Sequence, residues 1–184
     1  GWIGAVHGRP QPPGFPAPPP GAAQFWDRCQ HQTWYFLPWH RGYLAAFEAV
    51  VAKAVEDLGG PSDWALPYWN YSQSLVVNPD ARRLPTAFRD QTLANGSLNA
   101  LFAPRAMASD GSVNLRDADV SLGALTQTEF TPASGVSSGF GGPKTGFSHF
   151  GTGSGRLEMT PHNIVHSQIS GWMGNPNTAA FDPI

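Results

Sequence analysis

The stretch from Cys29 to Val51, CQHQTWYFLPWHRGYLAAFEAVV, indicates what this chain folds around. His31 and His40 lie nine residues apart in it, among one of the densest runs of aromatic residues in the sequence. Aromatic side chains suit a hydrophobic core, but buried imidazoles must find polar partners or a metal ion. The stretch therefore predicts a functional centre enclosed by aromatic side chains.

The regions around this stretch predict helices. Apolar residues keep helical spacing from Trp39 to Leu58, Pro38 suits the first turn, and the glycines at 59–60 end the helix. A further helix is expected within residues 22–36. Near the end of the chain, Thr160 is suited to the N-cap and Pro161 to the first helical position.

Segments rich in proline or glycine separate these helices. Residues 9–21 are predicted to follow an extended, polyproline-like path, and residues 134–155 to form a loop. Long loops in a compact domain usually serve function or are pinned by a cofactor. The expected fold class is mainly α, with long ordered loops, in one domain over residues 1–184.

Composition excludes several kinds of partner. The formal net charge of −2 does not indicate a nucleic acid or an anionic membrane surface, and no apolar run is long enough to span a bilayer. The chain has a single cysteine, which forbids an internal disulfide and is compatible with an intracellular protein. The compartment is otherwise unknown from these residues.

Two more histidines, His162 and His166, are four residues apart on the last predicted helix, so that both rings project from one face. A set of imidazoles without spare cysteines or clear carboxylates suits copper or zinc. The earlier histidines suggest two metal ions, and the lack of a carboxylate favours copper. A zinc or structural site that uses only this pair is the alternative.

Two motifs resemble those of type-3 dicopper proteins, which include tyrosinases, catechol oxidases, other polyphenol oxidases and molluscan-type haemocyanins. CQHQTWYFLPWHRGYL, from residue 29, is similar to their first copper motif, and GRLEMTPHNIVHSQISGWMG, from residue 155, to the start of their second. LPYWNYS, from residue 66, resembles a landmark between the two. The resemblance implies a helical bundle around a dicopper centre.

Position by position, the resemblance implies five metal ligands and one cross-link. The residues that match the ligands of the first copper are His7, His31 and His40, and those that match the second are His162 and His166. Cys29 has the spacing of a cysteine that some members join to a ligand histidine, here His31, by a thioether. His149 matches no ligand and is expected at the surface or the rim of the pocket.

The family pattern has a sixth ligand histidine, which normally follows a DP-aromatic stretch. This chain ends in AAFDPI at Ile184, where that stretch begins. The resemblance therefore implies a single tyrosinase-like copper domain that stops before the helix of the last ligand. A complementary C-terminal chain or segment is expected to supply the missing histidine.

The function implied is copper-dependent oxidation of phenolic small molecules by O2. Monophenols would be hydroxylated in the ortho position, and o-diphenols would be oxidised to o-quinones. Glu158 and Asn163 flank His162 and are expected to hold a water that acts as base. Their alternatives are a charge at a helix start for Glu158 and a hydrogen bond to a ligand ring for Asn163.

Two other functions share these residues. One is a haemocyanin-like oxygen carrier. The other is an o-aminophenol or catechol oxidase that lacks monophenolase activity.

Overall fold

The computed structural model describes residues 2–8, 19–133 and 138–184. Three α-helices occur in these ranges: α1 is Trp2–His7, α2 is Phe36–Asp57 and α3 is Ile164–Ile169. A π-helical turn, Glu158–Asn163, leads directly into α3. The shorter 3-10 turns are Ala22–Phe25, Thr86–Phe88, Asp117–Val120, Leu122–Thr126 and Ala179–Phe181.

The described ranges contain isolated β-bridges but no strand, which confirms the mainly α class with long ordered loops. None of the helices described here is long and apolar enough to cross a membrane. Most of the proline-rich segment 9–21 and part of the loop 134–155 lie outside the described residues.

The long helix begins and ends close to the predicted bounds. Tyr35 N–H donates to Thr33 Oγ1 (3.1 Å) and Phe36 N–H to the Thr33 carbonyl (3.0 Å), so the chain turns into α2 at this threonine. Gly59, at φ 82°, follows the helix in the left-handed conformation that glycine adopts without strain. Phe36 is the buried residue of α2.

The prediction of a helix within residues 22–36 is wrong, except for a short 3-10 turn, Ala22–Phe25. Asp27 and Gln32 both have φ 57°, which interrupts any helix there. Between them the chain is extended, because His31 forms a parallel bridge with Phe150. This long-range pairing overrides the local helical preference.

At Thr160, where the sequence predicts a helix to start, the structure has a break in the helical backbone. Thr160 is extended (φ −144°, ψ 119°) within the π-helical turn, and Pro161 follows it. α3 then ends at Ile169, and Ser170 and Gly171 take positive φ. A Cβ on Gly171 would lie 2.2 Å from the Pro104 carbonyl oxygen, so the chain needs glycine here.

A hydrophobic core cluster forms around α3. It consists of Leu84, Val113, Leu115, Val120, Val165 and Ile169. Burying each such side chain contributes about 1.5–3 kcal/mol. Because Val165 and Ile169 lie on the same short helix as His166, this core fixes the helix that carries the last pair of histidines.

The segment before Ile184 supports α1. A Cβ on Gly4 would lie 2.8 Å from the ring of Phe181, so α1 packs directly on this segment. The adjacent Asp182 forms a fully buried ion pair with Arg105. The segment around Phe181 therefore helps to hold the short helix that ends at His7.

Candidate metal centre

Five imidazole rings from four separate parts of the fold converge at one place. The ring centroids of His7, His31 and His40 lie 5.0 to 5.4 Å apart. The ring of His162 lies 6.1 Å from that of His31 and 4.5 Å from that of His166. The structure thus brings together all the histidines that the sequence assigned to metal binding, here called the imidazole cluster.

Hydrogen bonds on Nδ1 orient three rings of this cluster. His40 Nδ1 lies 2.8 Å from the Phe36 carbonyl oxygen, one turn earlier on α2. His166 Nδ1 lies 2.6 Å from the Met173 carbonyl oxygen. An Nδ1–H that donates to a carbonyl leaves Nε2 of the same ring as a lone pair for a metal ion.

His162 is oriented by its neighbour. Its Nδ1 lies 2.9 Å from Asn163 Oδ1, which accepts an Nδ1–H in the same way. The hydrogen bond that the sequence offered as an alternative role for Asn163 is therefore formed. The Asn163 side chain is exposed and lines the same cavity as the cluster, so this contact does not exclude a role towards a substrate.

Burial keeps these rings neutral. It lowers the pKa of His7 to about 3, of His31 to about 2 and of His40 to about 4, and the neighbouring imidazoles lower it further. Burial likewise lowers the pKa of His162 to about 3 and that of His166 below its usual value. A metal ion needs neutral imidazoles, and these are neutral at physiological pH.

The donor set fits copper. His7 Nε2 and His40 Nε2 face each other at 3.2 Å, and the Nδ1–H of His40 makes its Nε2 a lone pair. Two ring nitrogens aimed at one point suit a shared metal ion. His7, Cys29 and His31 also hold potential ligand atoms within 4.8 Å of one another. Neutral imidazoles suit copper, although zinc accepts the same ligands.

A cavity of about 210 Å³ opens onto the cluster and contains a buried carboxylate. Glu158 is 1% exposed, and its Oε1 accepts the backbone N–H of Gln32 at 2.8 Å. Its Oε2 is buried without a hydrogen-bond partner. Burial raises the pKa of Glu158, and hydrogen bonds from Gln32, Ser154 and Gly155 oppose this. The carboxyl group thus forms part of the wall of the cavity.

Cys29 is fully buried beside the cluster. Its Sγ lies 3.3 Å from His31 Nδ1 and 3.2 Å from His149 Nδ1. Burial raises the pKa of this thiol to about 12, and Asp27 raises it further. The sulfur therefore carries its hydrogen at neutral pH.

His149 lies beside Cys29, a position that no motif in the sequence indicated. It was expected at the surface or the pocket rim, and its side chain is 24% exposed. Its ring also packs on Cys29 and on Phe150, with ring centroids 4.4 Å apart in the second case. It is separated from Cys29 by 120 residues, and no spacing pattern reports a contact of that range. Phe150, whose ring stacks on His31 at 5.8 Å, was missed for the same reason.

Comparison with protein families gives one match across almost the whole chain. The model described as the common central domain of tyrosinase matches residues 3–184. The match includes all the histidines of the imidazole cluster.

Curated relatives agree with this match. Tyrosinase HcTyr1 of Hahella sp. (strain CCB-MM4) is 47% identical over 163 residues, which are 87% of this chain and 35% of the relative. The chloroplastic polyphenol oxidase of Vitis vinifera is 32% identical over 169 residues, 84% of this chain and 26% of the relative. Aureusidin synthase of Antirrhinum majus is 27% identical over 161 residues, 80% and 26% respectively. The chain spans about a third or less of the length of these relatives.

Proposed function

The chain belongs to the tyrosinase family of type-3 copper proteins, and on that premise we propose that it oxidises phenols with O2 at a pair of copper ions. The observation that carries the proposal is the convergence of the imidazole cluster on a cavity that also contains Glu158. We assign His7, His31 and His40 to the first copper. Bound copper would supply the activation of O2 for two-electron oxidation of the substrate.

In the family pattern the second copper has three histidine ligands. We assign it His162 and His166, and propose that a complementary C-terminal chain or segment supplies a third histidine. A stripe along α2 and its C-cap supports this, because apolar residues recur every seven positions along it. α1 contacts α2 near the start of the stripe, where the rings of His7 and His40 lie 5.2 Å apart. The stripe consists of Leu37, Leu44, Val51 and Leu58, with His40, Phe47 and Ala54 between them.

The position of this stripe indicates where the segment would bind. Leu44 is 48% exposed and Leu58 is 88% exposed, whereas Leu37, Phe47 and Val51 are half-buried, so the stripe is partly open to a partner. His40 belongs to the stripe, so a helix laid along it would reach the imidazole cluster. Such a helix would bury apolar surface at about 25 cal/mol per Å².

We propose hydroxylation of monophenols in addition to oxidation of o-diphenols. The support is Glu158, whose unpartnered Oε2 is buried at the cavity, together with the exposed Asn163 amide. A carboxylate with a raised pKa accepts a proton from a phenol or from a water held beside it. Glu158 lies before the backbone break at Thr160 and Asn163 after it, and both line the cavity.

We also propose that Cys29 and His31 are joined by a thioether. The support is the 3.3 Å distance from Cys29 Sγ to His31 Nδ1 in a buried setting. Forming the bond removes the thiol hydrogen and one ring hydrogen. The mass of the chain would then lie two hydrogens below the calculated value, and Cys29→Ser would restore the calculated mass.

The test of the proposed function is copper content with turnover on the same sample. On protein that includes the complementary C-terminal segment, we expect two copper ions per chain, with O2-dependent oxidation of a simple o-diphenol and of the matching monophenol. Two copper ions with reversible O2 binding but no turnover would replace the oxidase with an oxygen carrier. Diphenol oxidation alone would make it a catechol or o-aminophenol oxidase. Zinc, or no copper, would overturn the proposal.

A further inference from the structure

The buried thiol of Cys29 lies in a chain of polar contacts that continues beyond His31. On one side His31 Nδ1 is 3.3 Å from the sulfur, and on the other His149 Nδ1 is 3.2 Å from it. The second nitrogen of His149, Nε2, is 3.3 Å from Asp27 Oδ1. A carboxylate, an imidazole and a thiol are therefore arranged in sequence, and this sequence ends at a ring of the imidazole cluster.

The hydrogens in this chain can point in one consistent direction. His31 turns Nδ1 to the sulfur, so Nε2 is its nitrogen for a metal ion and Nδ1 carries the hydrogen. With its hydrogen on Nε2, towards the Asp27 carboxylate 3.3 Å away, His149 presents Nδ1 as an acceptor. His31 then donates to the sulfur, and the thiol donates to His149.

The surroundings also suit His149 after it has gained a proton. Its Nδ1 lies 3.0 Å from the Cys29 carbonyl oxygen, which accepts an Nδ1–H. The Asp27 carboxylate pairs with the opposite edge of the same ring. Both nitrogens of a doubly protonated His149 thus have an acceptor in place.

The backbone holds His149 in this position. His31 N–H donates to the His149 carbonyl (3.2 Å), and Gly151 N–H donates to the His31 carbonyl (2.9 Å). Gln30, which is 1% exposed, accepts the N–H of Ser148 at 2.7 Å. The loop before the π-helical turn is therefore attached to the segment that carries the thiol.

We propose that His149, oriented by Asp27, is the base that accepts the thiol hydrogen of Cys29 when the sulfur bonds to the His31 ring. This inference rests on the proposed function, because the reaction needs an oxidant, and O2 is its co-substrate. One S–H and one ring C–H bond break, and one C–S bond forms. The two hydrogens and two electrons pass to O2, which becomes hydrogen peroxide.

The test follows cross-link formation in the full protein by mass spectrometry. Metal-free protein is loaded with copper without oxygen, O2 is admitted, and the loss of two hydrogens is timed. Ser148→Ala is the matched control, since it changes the neighbour of His149 and keeps the backbone N–H that bonds Gln30. We expect it to cross-link at the wild-type rate.

His149→Gln keeps a polar side chain but removes the base. We expect the same copper content as wild type and cross-linking that is slower by about a hundredfold or more. Asp27→Asn leaves the ring in place and removes the carboxylate, with an expected slowing of about tenfold or more. Cross-linking of His149→Gln at the wild-type rate would overturn the inference. If that variant binds no copper, Asp27→Asn decides, and a wild-type rate there overturns it.

The same samples separate this inference from the proposed function. If wild type never loses two hydrogens, the inference and the thioether both fail. Copper content and diphenol oxidation, measured on those samples, then still report on the oxidase.

Discussion

The ion pair between Arg105 and Asp182 offers a sharp test of how the metal centre is supported. Both side chains are fully buried. Arg105 Nε lies 3.1 and 3.0 Å from the two carboxylate oxygens of Asp182, and its Nη2 lies 2.5 Å from Oδ1. Asp182 Oδ1 also accepts the N–H of Ile184 at 3.1 Å. We predict that Asp182→Ala is strongly destabilising.

The magnitude follows from what the substitution leaves behind. Arg105 would keep its bond to the Phe88 carbonyl (2.7 Å) but would remain a buried charge without a counter-charge. Breaking a buried pair in this way costs about 3–5 kcal/mol. That is a large part of the 5–15 kcal/mol or so by which domains are usually stable.

The loss should also reach the metal centre. Asp182 follows Phe181, whose ring lies under Gly4 of α1, and α1 ends at His7. We therefore expect Asp182→Ala to weaken copper binding at the first site even where the protein stays folded.

Urea unfolding of wild type and variants measures the effect. Asp57→Ala is the control, because its pair with Lys53 is exposed on α2 (65% and 59% exposed side chains) and contributes only about 0.3–0.5 kcal/mol. Replacing both Arg105 and Asp182 by apolar residues should restore most of the stability. A loss below about 1 kcal/mol in Asp182→Ala would refute the reasoning.

Three further predictions concern the imidazole cluster. His40→Ala should remove the copper of the first site without unfolding the protein. Arg41→Ala, at the exposed neighbouring residue, should keep its full copper content by elemental analysis. Equal copper content in the two variants would contradict the assignment of His40. Glu158→Gln should lower monophenol turnover by about a hundredfold or more and change diphenol turnover much less, which parallel assays of the two substrates would show. In the metal-free protein, folding lowers the pKa of His7 from 6.5 to about 3 and that of His31 from 6.5 to about 2. The stability that the neutral rings contribute is therefore complete above pH 6.5. It is lost as the pH falls from 6.5 towards 3. The melting temperature should drop steadily from pH 6.5 to pH 4, although the raised pKa of Glu158 acts in the opposite sense, and a constant value would argue against burial of the rings.

The sequence by itself determined the features that depend on local spacing. The helical period after Trp39 gave the long helix, and the four-residue step from His162 to His166 put two rings on one face. The motifs around them identified the family and the ligand candidates. Spacing suffices here, because a helix fixes the direction of its own side chains.

The tertiary structure decided what depends on contacts between distant residues. The bridge from His31 to Phe150 broke the helix expected over residues 22–36. The same pairing brought His149 against Cys29, at a separation of 120 residues. Neither contact leaves a periodic signal in the sequence, because each depends on where two loops are held by backbone hydrogen bonds and buried side chains.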